Sequence, residues 1–134
     1  MKKSVLIVFV LLFFTTASFA QNVISLFNGA NNFFQLLEDG KFTEAYGNFD
    51  ETVKTKLSEE QLKKLWSDVH NALGKSKSLE AVQSKIQGDF FAVTVEGEFE
   101  RGTQNFILGF NKTQKIVGFF LAPKPVVAKY LAPS

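Results

Sequence analysis

Apolar residues recur every three or four positions through Val23, Leu26, Phe27, Ala30, Phe33, Phe34 and Leu37, the spacing that gathers them on one face of a helix over 23–37. Gly40 supplies its stop. A second stripe, Phe42, Ala45, Tyr46, Phe49, Val53 and Leu57, keeps the period, but Gly47 weakens a helix there and Asp50 offers a fresh cap. That segment is one broken helix or two short ones. Ser58 with Gln61 three residues on is a capping box, and Glu59 and Glu60 fall where a helix amino terminus favours negative charge. A third helix therefore starts near Glu59, buries Leu62, Leu65, Trp66, Val69 and Leu73, and ends at Gly74.

Beyond Lys75 the period shortens to two, the mark of strands. Leu79 to Gln87 leads into a Gly88-Asp89 turn; Phe91, Val93, Val95 and Phe99 then share one face while Thr94, Glu96, Glu98 and Glu100 take the other. Arg101-Gly102 turns the chain into Thr103 to Asn111, where Phe106, Leu108 and Phe110 alternate inward, and a fourth strand covers Lys115 to Leu121. Links this short require antiparallel neighbours. The expected fold class is α+β, amino-terminal helices packed on a curved antiparallel four-stranded sheet.

The fourth strand is apolar on both faces. Strict alternation sends Ile116 and Phe120 inward with Phe106, Leu108 and Phe110, and Val117, Phe119 and Leu121 outward. Phe90, Ile107, Val117 and Phe119 then form one outer patch that needs a cover: a second copy in a two-fold dimer through the sheets, the tail from Val126 to Leu131, or another protein. On this parity, Phe119→Lys breaks the dimer and spares the fold.

Ahead of the first helix, Lys2 and Lys3 precede an apolar run from Val5 to Phe14, and Ser18-Phe19-Ala20 offers a cleavage site. Residues 1–20 read as a signal peptide, 21–122 as one domain and 123–134 as a Pro-containing tail. The apolar run is shorter than the roughly 20 residues a spanning helix needs, so the product is expected to be secreted or periplasmic, without a membrane anchor after cleavage. Without Lys2 and Lys3 the chain carries 13 basic and 13 acidic residues, and no basic run points to nucleic acid. Cysteine is absent, which excludes disulfides, thiolate metal sites and thiol nucleophiles.

Few residues carry chemistry. His70 is the sole imidazole, at the margin of the third helix's apolar stripe. A catalytic role needs an orienting carboxylate across a solvent-reachable cavity, and Asp68 lies on another side of the helix, so a boundary histidine is the plainer reading. Trp66 and Tyr46 each join a large apolar body to one polar atom; they belong to the core or to the wall of a cavity between the third helix and the sheet. Glu96, Glu98 and Glu100 read as a solvated strand face rather than a cation site. No metal cluster, phosphate loop or activated nucleophile is assembled by the spacing, and no cofactor is expected.

Asp39-Gly40-Lys41-Phe42-Thr43-Glu44-Ala45, Phe49-Asp50-Glu51-Thr52-Val53-Lys54, Leu57-Ser58 and Leu62 to Trp66 resemble the bacterial domain of unknown function 3887 family. Phe99-Glu100-Arg101-Gly102-Thr103 and Lys115-Ile116-Val117-Gly118-Phe119-Phe120 resemble its later strands. The resemblance implies a nuclear transport factor 2-like cone and no established activity; in many relatives the domain precedes an α/β-hydrolase. The Gly-x-Ser-x-Gly nucleophile motif of such enzymes is absent here. The expected function is an exported, non-catalytic binding module with an apolar, aromatic-lined cavity at Tyr46, Trp66 and His70, serving a small apolar molecule and assisting a separately encoded hydrolase. The alternatives are an interaction or dimerisation module without a ligand, and a small isomerase, dehydratase or cyclase with His70 or Tyr46 as acid or base and a carboxylate from the sheet.

Overall fold

The computed structural model describes residues 22–123; the expected signal peptide and the tail beyond Pro123 lie outside the described residues. Helix α1 spans residues 22–38 and turns its three-and-four stripe inward, with Leu26, Ala30, Phe33, Phe34 and Leu37 buried. The second stripe resolves into two short helices, α2 (Phe42–Tyr46) and α3 (Glu51–Lys54). Asp50 restarts the chain between them. Its carboxylate accepts hydrogen bonds from the Thr52 hydroxyl and backbone N–H, and from Asn111, and these hold its carboxyl below the usual carboxylate range.

Helix α4 (Glu59–Leu73) opens on the expected capping box: the Ser58 hydroxyl accepts the Gln61 N–H at 3.1 Å, and the Gln61 side chain accepts the Ser58 N–H at 2.8 Å. Four strands follow, β1 (Ser76–Gln87), β2 (Phe90–Phe99), β3 (Gly102–Phe110) and β4 (Ile116–Leu121), in one antiparallel sheet ordered as in the chain. The α+β expectation holds, with helices first and an antiparallel meander second. Strand β1 starts three residues earlier than the alternation suggests, because Ser76 pairs with Phe99 ahead of a register shift.

One face of the sheet carries Val93, Val95, Phe99, Phe106, Leu108, Phe110 and Ile116 into a single core with the helices. That core is aromatic at its centre. The Phe34 ring lies 5.0 Å from Phe106, 5.4 Å from Phe33 and 5.7 Å from both Trp66 and Phe119, and all four contacts are tilted or edge-on.

Strand β4 corrects the parity read from sequence. Ile116 pairs with Phe110 and Gly118 with Gly109, so two residues separate positions that are one apart on β3. A bulge at Val117 shifts every later side chain to the opposite face. Phe119 therefore pairs with Leu108 and packs inward on Phe33, Phe34 and Phe106, while Phe120 stands outside at 60% exposure. Phe119 is not part of the outer face. Gly118 makes room for this exchange, since the Phe120 ring occupies the place where a Cβ at 118 would stand, 2.6 Å away. Phe90, at 49% exposure, keeps its expected outward position, and so does Ile107, opposite Thr94 on β2 and Phe120 on β4.

Candidate functional site

The three side chains singled out in the sequence do not meet in one cavity. Tyr46 points its hydroxyl at the Leu57 carbonyl, 2.7 Å away, with the Lys54 carbonyl at 3.3 Å, and its ring meets Phe49 edge-on. It latches α2 to the segment leading into α4. Trp66 is 3% exposed and packed against Phe34, Phe99 and Phe106 on its sheet side, and with His70, Phe42 and Lys63 it lines an open depression of about 330 Å³ that Tyr46 does not reach. The Trp66 indole N–H is buried without a partner among the described residues.

His70 lies one helical turn beyond Trp66, its ring 5.3 Å from the indole. Its Nε2 lies 2.9 Å from Glu38 Oε2, with the imidazole side chain 29% exposed and the carboxylate 20%. The carboxylate comes from α1, 32 positions earlier in the chain, and not from the sheet. A signal for it exists in the sequence. Asn31, Gln35 and Glu38 repeat at four and three beside the buried stripe, and Glu38 stands four after Phe34, so α1 carries a polar seam along the edge of its apolar face.

That seam forms one wall of a cleft of about 560 Å³ between α1, the last turn of α4 and the start of β1. Phe34 and Leu79 contribute its apolar surface; Glu38, His70, Lys75 and the Ser76 and Ser78 positions contribute its polar surface. Gly74 allows the chain to enter it. With φ at +82° it leaves α4 in a conformation side chains rarely adopt, and a Cβ there would stand 2.8 Å from Glu100 Oε1. Glu100, beyond the end of β2, accepts the Lys75 N–H at 2.8 Å and so fixes the cleft's lower rim; Glu96 and Glu98 stay exposed on the strand. Arg101 holds the same corner by donating to the Asn71 carbonyl at 2.8 Å.

A second depression, about 550 Å³, runs along the other flank of α4 past Leu65, Val69, Leu73 and Leu121. It is apolar but not aromatic, and its charged residues, Lys64 and Asp68, are paired with each other at 3.0 Å. The chemistry-bearing groups are on the His70 side. Among the described residues no cluster of three metal-ligating side chains occurs, and no helix is long and apolar enough to cross a membrane.

The family model described as "Protein of unknown function (DUF3887)" matches residues 30–119, which run from α1 through Phe119 of β4 and so contain both Glu38 and His70. No curated protein and no solved structure matches the chain.

Proposed function

The chain belongs to the DUF3887 family, and on that footing we propose that it is an exported, non-catalytic binding module whose ligand site is the polar cleft beside His70. The observation that carries the reading is the His70–Glu38 pair, held at 2.9 Å on the wall of a cleft large enough for a small molecule. Export rests on the basic and apolar leader of residues 1–20. Assistance to a separately encoded hydrolase rests on the family resemblance.

The same pair meets the requirement for acid–base catalysis that the sequence left open, and its geometry speaks for binding. Glu38 engages Nε2, the ring nitrogen farther from the backbone, which leaves Nδ1, close to the chain's own helix, for any reacting group. Such an imidazole is anchored rather than aimed. Tyr46, the other acid or base considered, is committed to the Leu57 carbonyl.

The test is amide-shift mapping of a fragment library by NMR on the signal-free chain. Fragments that bind shift Asn31 and Ser76 to Leu79, and His70→Ala weakens them at least tenfold while circular dichroism stays that of the parent. Shifts confined to Leu65, Val69 and Leu73, or no shifts in the cleft from any fragment, would overturn the reading.

A second reading, association through the sheet, is favoured by the apolar set on the outer face, where Phe90 and Phe120 are exposed and Ile107 and Val117 half-buried, with Phe120 in place of Phe119. It predicts a dimer by light scattering that Phe120→Lys converts to monomer. A monomeric parent rejects it.

A further inference from the structure

We propose that the ligand of the His70 cleft is a small organic anion, a carboxylate on an apolar body; this rests on the cleft being the binding site and names what it takes. The argument is an inventory of the polar groups the protein has not already used. Asn31 Oδ1 accepts the Ala81 N–H at 2.9 Å, and the amide's two N–H donors have no partner among the described residues, which leaves them to the cleft. Glu38 is the one carboxylate on the cleft wall; one of its oxygens engages His70, and the other is buried without a partner among the described residues. Lys75 and Lys77 both line the cleft, and neither forms an ion pair among the described residues. Ser76 and Ser78 add hydroxyls between and beside them.

Glu100 at the rim accepts the Lys75 backbone N–H, and the Arg101 guanidinium shares its Gly74 corner. Gln35 is the exception to the donor excess. Its amide N–H donates to Asp39 at 3.0 Å, leaving its oxygen as an acceptor. Beside the Glu38–His70 pair, the cleft offers a guest two ammonium groups, an amide donor and two hydroxyls against the Gln35 oxygen, with Phe34 and Leu79 as apolar surface, so cationic groups outnumber the single carboxylate. That set complements a carboxylate, which accepts several hydrogen bonds at once, joined to a small apolar group. A bulge between Ser76 and Ser78 interrupts the ladder with β2 at Lys77, the kind of irregularity that re-aims a strand-edge side chain.

Phenylacetate and its neutral isostere phenylacetamide test the proposal on the signal-free chain, by NMR titration at low and at physiological salt. Phenylacetate is expected to shift the amides of Asn31 and of Ser76 to Leu79, more weakly as salt rises, while phenylacetamide does not. Lys75→Gln with Lys77→Gln should weaken phenylacetate at least tenfold without changing the fold, since both side chains are at the surface. Equal binding of the two probes, or cleft shifts from neutral or cationic fragments but not from phenylacetate, overturns the anion and leaves the binding module standing. No probe or fragment shifting the cleft overturns both.

Discussion

Phe119→Lys is expected to destabilise the domain severely, whereas Phe120→Lys, one residue on, leaves its stability near that of the parent. Phe119 meets Phe33 at 5.5 Å, Phe34 at 5.7 Å and Phe106 at 5.9 Å, so removing its ring empties the side of the core that β4 closes. Truncation of a packed phenylalanine costs about 3 kcal/mol or more, and an ammonium group placed among aromatic rings adds its desolvation. For a domain of this size each kcal/mol lowers the melting temperature by roughly 4–8 °C, so a fall of more than about 12 °C is the expected result. Phe120 rests on Gly118 at the surface, and its substitution belongs with surface changes of about 0.5 kcal/mol or less. Thermal melts followed by circular dichroism check both. A stable Phe119→Lys protein beside an unfolded Phe120→Lys protein would restore strict alternation and remove the bulge.

What was legible in the sequence follows from the range of each interaction. Ser58 with Gln61 and Asp50 ahead of Thr52 act within three residues, so helix starts could be read as local chemistry. In β2 and β3 polar residues alternate with Val, Leu and Phe, and polarity itself reports the face. Strand β4 reads Ile-Val-Gly-Phe-Phe-Leu, apolar apart from one glycine, so a slipped register leaves no mark in polarity. Gly118 was the available sign, because an isolated glycine within a strand often marks a bulge.

The site was hidden for a different reason. His70 was identified by its rarity, but its partner stands on another helix, and no local spacing joins two helices. Only the packing of α1 on α4 brings the seam of Asn31, Gln35 and Glu38 to the histidine. Trp66 is the converse case. A large amphipathic ring reads equally as cavity wall and as core, and neighbours from α1, β2 and β3 bury most of this one while its rim still borders a depression with His70.

Phe34→Ala should be the most damaging single truncation, and it should separate the domain's stability from its cleft when set beside Phe34→Leu. Phe34 is 1% exposed and, among the described residues, is the one ring in contact with Phe33, Trp66, Phe106 and Phe119 together, so it joins α1 to α4, β3 and β4. Cutting it to alanine costs about 4 kcal/mol through lost burial and the cavity left behind, a large share of the 5–15 kcal/mol typical of a whole domain. Leucine refills most of that volume at roughly 1 kcal/mol. The same ring also contributes apolar surface to the His70 cleft, so Phe34→Leu alters a ligand's seat while α1 keeps its place. Urea melts should show a midpoint shift for Phe34→Ala several times that for Phe34→Leu, and the leucine protein should retain parent-like shifts at Val95 and Leu108 on the sheet's inner face. Equal, small shifts for both would mean that the four-way aromatic contact does not organise the core, and that the cleft's apolar surface is supported from elsewhere.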